Sequence, residues 1–358
     1  MNTKSQISSW QLFSLMLLSR LLTAITFMPV LNLNVGNTDY IISTALGSVL
    51  SVLFFIPAFI LIKKGRGLTD ITDGISKKLT KATAVVYALF FLAYALSTLA
   101  RMNVFTYAII FPQRGTALFM VLLIAAACYA ASHGLEALGR TGSIAMLLFG
   151  LSFILILFSL RDRVDINYLS PALYDGIKPL SVLIWETIFR TIEPAALMII
   201  LPKVSGKLMK SFITWIVSFV LILILVFFFL MSTLSEAALF QLFPFHSMAV
   251  LSQFVVFERM DALLIGTWIM SGLVKSSFLI FLTLELLSES IKKMKRGNLI
   301  KILFVIISAV ILIESKSIML FKVNLSIILN STLFLVFVVA IPAVLVIADR
   351  LHNRGEKE

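Results

Sequence analysis

The sequence predicts an all-α polytopic membrane protein with ten transmembrane helices arranged as two oppositely oriented sets of five. Hydrophobic residues make up 60% of the chain and charged residues only 13%, and the mean hydropathy is +1.04. Soluble domains contain about 45–50% apolar and about 25% charged residues. The lysines and arginines occupy short breaks between apolar runs, so the net charge of +12 indicates membrane orientation and not nucleic-acid binding.

Apolar runs of membrane length divide the whole chain. The first extends from Ser8 to Leu31, which is too long for a signal-peptide core and has no small-residue cleavage pattern. The other nine cover residues 40–62, 82–110, 116–135, 141–160, 179–201, 211–234, 262–284, 299–315 and 324–348. Each is near the length that crosses a hydrocarbon core about 30 Å thick. The segment 237–260 is apolar with polar ends, which predicts a helical cap at the outer surface.

The distribution of lysine and arginine predicts the orientation of the spans. One side of the membrane carries 19 of these residues, and the other side carries 8, Arg101 among them. Cytoplasmic connections are enriched in positive charge, so both termini are predicted to be cytoplasmic. The last three basic residues, Arg20, Arg190 and Lys275, lie near the middle of a span.

The ten spans form one predicted transmembrane domain over residues 1–358, because no connection is large enough for a folded soluble domain. Residues 1–160 are the first repeat, 179–348 the second, and 349–358 a cytoplasmic tail. Five is an odd number, so the two sets necessarily have opposite orientations. This is the inverted-repeat topology found in transporters.

Charged residues at matching depths support the pairing of span 1 with span 6. Arg20 is near the centre of the first span and Arg190 near the centre of the sixth. Glu186 and Glu193 lie four residues before and three after Arg190, so all three share one helix face. They either build a polar pocket or form a structural ion pair that fixes helix packing. Arg20 likewise either meets a ligand or holds helices together.

Pro194 predicts that span 6 is interrupted at Glu193-Pro194, because proline disfavours helix at the preceding residue and removes an amide donor. A broken helix in lipid must face protein or a water-filled cavity, since each unpaired backbone group costs several kcal/mol. The free helix ends and the nearby charges therefore predict a polar pocket near the membrane midplane.

Lys275 lies within the eighth span and precedes two serines, Ser276 and Ser277. A charge at that depth is costly and usually marks an ion path, a proton site or an essential pair. The ammonium and two hydroxyls predict a small cation site in which the lysine supplies the positive charge. The alternative is a buried ion pair with Glu186 or Glu193.

The residue content gives no support for an enzyme. No nucleophile with a matching base, metal-ligand cluster or phosphate loop occurs in the sequence, and the three histidines are scattered near loops. No cofactor or metal is therefore expected. The single cysteine, Cys128, excludes an intrachain disulfide.

The run FPFHSMAVLSQFVVFERMDALLIGTWIMSGLVKSS, at residues 243–277, resembles the signature region of the spore germination permease family. Its most specific part is Glu258-Arg259-Met260-Asp261 followed by Trp268-Ile269. The N-terminal ISSWQLFSLMLLS and the ALMIILPKV that closes span 6 also match, and the resemblance covers essentially the whole chain.

This resemblance implies a fold and a function. The family comprises the membrane B subunits of nutrient germinant receptors and is related to amino acid/polyamine/organocation transporters with a LeuT-like fold of five plus five inverted helices. It implies a spore inner-membrane location, partner A and C subunits, and a small germinant such as an amino acid, sugar or nucleoside. The alternative is a stand-alone proton-coupled transporter of amino acids or organic ions.

The predicted site combines the charged residues with the place where span 1 of the family unwinds, which corresponds to Arg20-Leu21-Leu22-Thr23-Ala24 here. The predicted ligand-binding residues are Arg20, Thr23, Ala24, Phe189, Arg190 and Glu193. The predicted ion-site or coupling residues are Lys275, Ser276, Ser277 and Glu186.

Overall fold

Long apolar helices dominate the structure, which is 88% helical. This computed structural model describes residues 7–26, 36–112, 115–174, 176–189, 191–253, 260–291, 294–314 and 334–355. Within those ranges the regular elements other than helices are two short strands, β1 (Ile7–Ser8) and β2 (Val204–Ser205). The predicted all-α class is confirmed.

The described part of the first half of the chain contains seven α-helices. They are α1 (Ser9–Thr26), α2 (Asn37–Leu50), α3 (Ile56–Lys64), α4 (Leu68–Ile75), α5 (Lys77–Phe105), α6 (Ala117–Ser132) and α7 (Leu135–Leu160). A 3-10 turn over Ser51–Phe55 joins α2 to α3, so one helical rod covers the predicted second span. The π-helical turn Thr106–Ile110 extends α5.

The second half of the chain begins with a helix in two pieces. Its elements are α8 (Ile177–Phe189), α9 (Glu193–Ile200), α10 (Leu208–Leu234), α11 (Pro244–Leu251), α12 (Asp261–Ser290), α13 (Arg296–Glu314) and α14 (Ile341–Gly355). Helix α11 confirms that the predicted surface cap at 237–260 contains a helix. A π-helical turn over Val336–Ala340 precedes α14.

Six helical segments in the described part of the chain are long and apolar enough to cross a membrane. They are Asn37–Lys64, Lys77–Ile110, Leu135–Arg163, Leu208–Ala238, Asp261–Ser290 and Arg296–Glu314. Each overlaps one predicted span, and the shorter apolar helix α6 overlaps another. The chain is therefore an integral membrane protein, and the number of ten spans stays a prediction.

The outer face of α10 shows how these helices meet lipid. Ile213, Val217, Leu221 and Leu225 are exposed and follow one another at four-residue intervals, so they share one face. Trp215, Phe219 and Leu223 on other faces are buried. A helix that is apolar all round is expected in lipid, where its outward face loses nothing by being hydrophobic.

Helix α12 lies at the centre of the packing. It contacts α1, α5, α6, α7 and α13, while α1 also contacts α7 and α10. Gly142 allows the close approach of α7 to α1, because a Cβ at that position would lie 2.7 Å from Leu15 Cδ2. The two central helices α1 and α12 are thus enclosed by protein and can carry polar side chains away from lipid.

Ion pairs join the helix ends on the side predicted to be cytoplasmic. Glu285 of α12 pairs with Lys203, and Arg296 at the start of α13 lies 2.8 Å from Glu285. Lys64 at the end of α3 lies 2.5 Å from the buried Asp349 of α14. On the same side of the molecule β1 pairs in parallel with β2, which joins the start of α1 to the segment after α9.

Candidate functional site

The sixth span is interrupted between α8 and α9. Thr191 and Ile192 are not helical, and Arg190 lies outside the described residues. Pro194 occupies the first turn of α9, where its missing amide costs no helical hydrogen bond. The predicted interruption is confirmed, and it lies immediately before Glu193 because the proline is compatible with the start of a helix but not with its interior.

Glu193 begins α9 and is only 2% exposed. Ser19 of α1 donates a hydrogen bond of 3.0 Å from its Oγ to Glu193 Oε1. A carboxylate in the first turn of a helix is also stabilised by the positive end of the helix dipole. Within the described residues Glu193 Oε2 accepts no hydrogen bond, so this buried acid retains capacity for a further donor.

Arg20 of α1 supports the end of α8. Its Nη2 donates a 2.7 Å hydrogen bond to the carbonyl oxygen of Thr187, one of the carbonyls that has no partner within the last turn of that helix. Its guanidinium also lies 5.3 Å from the centre of the Phe219 ring. A cation at a helix C-terminus is favoured by the dipole. The structure therefore favours the predicted alternative in which Arg20 holds helices together.

Helix α1 is continuous from Ser9 to Thr26, across the place where the family resemblance implied unwinding. Thr23 and Ala24 consequently present side chains and not bare amides, and the backbone amides of this stretch bond within the helix. Thr23 Oγ1 donates to the Ser19 carbonyl oxygen at 3.0 Å, while Ala24 is partly buried against the apolar core. The backbone amides of α1 are therefore not available to an anionic ligand group, so in this segment only side chains could bind one.

Lys275 reaches from α12 to α1. It is 3% exposed, and its Nζ donates to the Ser19 carbonyl oxygen at 2.8 Å and to Thr23 Oγ1. Because the Ser19 hydroxyl bonds Glu193, Ser19 connects the lysine on α12 to the acid on α9.

The two serines after Lys275 do not share its contacts. Ser277 Oγ donates to the Leu273 carbonyl oxygen of its own helix at 2.6 Å, and Ser276 Oγ is buried with no hydrogen-bond partner among the described residues. Neither hydroxyl therefore bonds to the ammonium, and the small cation site with these serines stays a prediction. Successive residues on a helix point about 100° apart, so the hydroxyl that meets Lys275 comes from Thr23 on the facing helix.

The remaining predicted residues with described side chains, Phe189 and Glu186, both lie on α8. Phe189 is partly buried and stacks on Trp185 with 5.5 Å between ring centres, and it also meets the edge of Phe334 near α14. Glu186 is half-buried and its charge acts on Tyr40 of α2. The structure therefore brings together Arg20, Thr23, Glu193 and Lys275 around α1, whereas Phe189 packs among aromatic rings.

Sequence reasoning missed six of the eight residues that line a cavity beside Lys275. A cavity of about 10 Å³, enough for about one water molecule, is lined by Leu22, Thr23, Thr26, Thr98, Arg101, Met102, Trp268 and Lys275. Trp268 Nε1 donates to Thr26 Oγ1 at 3.0 Å, and its ring stacks on Phe105 with 4.0 Å between centres. Thr98, Arg101 and Phe105 recur at helical spacing within an apolar run, which was the available signal.

Arg101 corrects one step of the orientation argument. It was counted among the positive charges outside the spans, but it lies inside α5 and is only 8% exposed. Its Nε donates to the Ser97 carbonyl oxygen at 3.3 Å and its Nη2 to Ser97 Oγ at 3.2 Å. When Arg101 is no longer counted on the side with fewer lysines and arginines, the difference in positive charge between the two sides becomes larger. That difference is what predicts cytoplasmic termini.

Comparison with known families identifies the chain. The family model described as spore germination protein, Spore_permease, matches residues 6–319. The chain belongs to the spore germination permease family. No curated protein matches this spore permease. The family match confirms the resemblance seen in the sequence.

Solved structures of transporters share the fold of this spore permease. The nucleobase-cation-symport-1 family transporter Mhp1, closed with bromovinylhydantoin bound, matches with a TM-score of 0.64 at 12% identity, over 94% of this chain and 78% of that one. MhsT in complex with L-phenylalanine matches with a TM-score of 0.55 at 16% identity, over 98% and 99% of the two chains. A Na⁺-coupled sialic acid symporter in a substrate-bound outward-open state matches with a TM-score of 0.55 at 14% identity, over 94% and 79%. The permease thus has the fold of LeuT-type transporters.

The family and the fold together restrict the function. Relatives of both kinds are transporters or transporter-like membrane proteins and not enzymes. The spore permease therefore has a membrane transport or receptor-like role.

Proposed function

We propose that this spore permease is the membrane subunit of a nutrient-germinant receptor. A small germinant such as an amino acid, sugar or nucleoside binds in a mid-membrane pocket beside α1, and the signal passes to partner A and C subunits. The observation that carries the proposal is the buried connection from Lys275 through Ser19 to Glu193, which ties α12, α1 and α9 together. A solute bound against this connection acts on three helices at once, which is what relaying a signal requires.

The proposal includes an architecture. The chain has ten spans in a five-plus-five inverted repeat, lies in the spore inner membrane and keeps both termini cytoplasmic. Support comes from the six spanning segments, the interruption between α8 and α9, and the shared fold with solved transporters. The interrupted helix corresponds to the first helix of the second repeat, which is where transporters with inverted repeats hold their substrates.

Lys275 is proposed to stand in for a bound monovalent cation. Its Nζ lies between a backbone carbonyl and a hydroxyl, both oxygen ligands of the kind that hard cations take. The solved symporter of similar fold named above is Na⁺-coupled. A tethered ammonium supplies the same positive charge between α12 and α1 without depending on an external ion.

Deletion and complementation in spores test the receptor role. The deletion strain should lose its response to one class of nutrient, the wild-type gene should restore that response, and A and C subunits should co-purify with the solubilised protein. A deletion strain that germinates normally with every amino acid, sugar and nucleoside tried, and a protein that co-purifies with neither subunit, would refute the receptor role.

A stand-alone proton-coupled transporter of amino acids or organic ions is the second candidate, and the shared fold with solved symporters favours it. Reconstitution of the single chain into proteoliposomes separates the two functions. Uptake of a radiolabelled amino acid driven by an imposed pH gradient, without partner subunits, supports the transporter. Binding without uptake supports the receptor.

A further inference from the structure

The connection between α7 and α8 has an apolar surface. Five large hydrophobic side chains of this 161–178 segment are 45–74% exposed, namely Ile166, Tyr168, Leu173, Tyr174 and Ile177. A single exposed apolar residue is ordinary on a protein surface. Five of them within one short connection indicate an interaction surface.

The basic connection between α3 and α5 shows how this chain builds a segment that faces water. Its apolar residues Leu68 and Ile71 are buried, whereas Arg66 and Lys77 are exposed. The 161–178 segment has the reverse arrangement, with its large apolar side chains on the outside. Its surface therefore suits a medium less polar than water.

The backbone of the segment is bonded to other parts of the protein. Three consecutive residues at the start of α2 bond to it: Asn37 to the Tyr168 carbonyl oxygen at 2.8 Å, Thr38 to the Ser170 carbonyl oxygen at 2.5 Å, and Asp39 to the Leu173 amide at 2.9 Å. The Asp165 amide donates to the Ser232 carbonyl oxygen of α10 at 2.9 Å. Backbone groups that are paired within the protein do not require water, so the segment can lie where water is scarce.

These bonds place the segment at the level where helices leave the membrane. The residues that it bonds to, and its own first residues, lie at the ends of three spanning segments, Asn37–Lys64, Leu135–Arg163 and Leu208–Ala238. The segment is therefore held at the edge of the hydrocarbon core, on the side predicted to be outer, and does not project away from it.

The apolar outer face of α7 leads directly into the segment. Leu147, Leu151, Ile154 and Phe158 are exposed at intervals of three and four residues, so they share one face. The Arg161 guanidinium lies 4.6 Å from the centre of the Phe158 ring, at the end of this face. Long basic side chains at the ends of spanning helices reach toward the lipid headgroups. Lipid that covers α7 therefore meets the 161–178 segment next.

We propose that the 161–178 segment is a lipid anchor in the outer membrane–water interface, and that its bonds to α2 hold it there. Its aliphatic side chains lie against the upper acyl chains, and its two tyrosines lie at the headgroups. Tyrosine is enriched at that level because its ring is apolar and its hydroxyl is polar. Since the segment leads into α8, the anchor sets the depth at which the first piece of the broken sixth span begins.

Spin labels test the anchor on the full-length protein in nanodiscs of phosphatidylethanolamine and phosphatidylglycerol. In a Cys128→Ala background, Ile166→Cys and Leu173→Cys each carry a nitroxide. Its collisions with oxygen, which enters lipid, are compared with those of a water-soluble nickel chelate. We expect depths of roughly 5–10 Å into the headgroup–acyl boundary, as for other interfacial segments. These lie between the depths of labels on Leu151→Cys, which faces lipid, and Lys78→Cys, which faces water.

Two results would overturn the anchor. Nickel collisions as frequent as at Lys78→Cys would place the segment in water. Few collisions with either reagent would mean that protein, such as a second copy of the chain, covers it. Ile177→Cys replaces either variant that does not fold. The tyrosine positions are unsuitable for this decision, because a thiol among hydrated headgroups remains reachable by water-soluble reagents.

The hold of α2 on the segment is tested by a matched pair of variants. Asp39→Ala removes the acceptor of the Leu173 amide, so the label on Leu173→Cys should move toward water. Asp162→Ala removes an exposed acid of the same segment and should leave the depth unchanged. Asn37→Ala, which removes the donor to the Tyr168 carbonyl oxygen, takes the place of Asp39→Ala if that variant does not fold. Equal label depths in the α2 variant and in Asp162→Ala would show that α2 does not hold the segment.

Discussion

At the scale of single residues, Ser19 contacts both Lys275 and Glu193, the buried cation and the buried acid of the site. Its carbonyl oxygen accepts from Lys275 and its hydroxyl donates to Glu193, so one small residue separates a buried cation from a buried acid. A direct ion pair would bind the two helices rigidly. A pair separated by a hydroxyl is weaker and depends on how α1 is placed, which suits a helix that has to respond to a ligand.

Lys275→Ala should reduce the germination response at least tenfold while membrane abundance falls much less, since a neutral alanine leaves a foldable helix but removes the proposed tethered cation. Lys275→Arg should restore only part of the response, because a planar fork cannot replace a compact ammonium. Abundance is measured by immunoblot, with Lys210→Ala as an exposed control. Recovery of both abundance and response in Lys275→Ala combined with Glu193→Gln would instead assign the lysine to a structural pair.

Arg20→Met should lower the melting temperature of the detergent-purified protein. The change leaves the Thr187 carbonyl without its guanidinium donor, and an unsatisfied buried acceptor costs about 1–3 kcal/mol. Arg140→Met is the control, because Arg140 is exposed and pairs with Glu136 one turn away on its own helix. Equal melting temperatures for the two variants would show that Arg20 does not support the end of α8.

At the scale of helices, the broken sixth span is held by its neighbours. Helix α8 packs along α2, and its final turn receives Arg20 from α1. The second piece, α9, starts with a buried acid bonded to α1. Free helix ends in a membrane thus find their partners within the protein, as the cost of unpaired backbone groups requires.

Gly47→Ala should destabilise the protein by separating α2 from α8. A Cβ on Gly47 would lie 2.7 Å from Thr187 Cβ and 2.9 Å from the Ile184 carbonyl oxygen, and a backbone atom cannot rotate away. Such overpacking typically costs about 1–3 kcal/mol, which thermal unfolding in detergent will detect. Gly150→Ala is the matched control, since that added Cβ meets no atom within 4 Å. A Gly47→Ala melting temperature equal to that of Gly150→Ala would contradict this packing.

At the scale of the whole molecule, charge and hydropathy orient the fold. Basic residues and their acidic partners gather at the helix ends near Lys64, Lys203 and Arg296. Arg20, Glu193 and Lys275 instead lie buried around α1, at the centre of the packing. The exposed face of α10 that carries Ile213, Val217, Leu221 and Leu225 is apolar. Lysine and arginine therefore pair with acids at the helix ends but join helices by hydrogen bonds in the buried centre.

Cysteine labelling tests the proposed orientation in a Cys128→Ala background, where no native thiol remains. Lys78→Cys and Tyr174→Cys place a thiol at exposed sites predicted to lie on opposite sides of the membrane. In intact cells a membrane-impermeant maleimide should modify only Tyr174→Cys, and permeabilisation should expose Lys78→Cys. Labelling of Lys78→Cys from outside would reverse the topology.

The sequence by itself determined the class of the protein and the depth of its charges. The composition showed that the chain lies in a membrane, and the apolar runs located the helices. Pro194 located the interruption of the sixth span. Each of these features depends on local chemistry. Hydropathy also placed Arg20, Glu193 and Lys275 inside the membrane.

Only the tertiary structure decided which of these groups meet. Lys275 contacts residues of α1 more than 250 positions away, and its partner hydroxyl is Thr23 and not the adjacent Ser276 or Ser277. Arg101, assigned from the sequence to the outer charges, lies instead beside the cavity. Periodicity reports which face of a helix is buried, but the partner across that face depends on how distant helices are placed and rotated against each other.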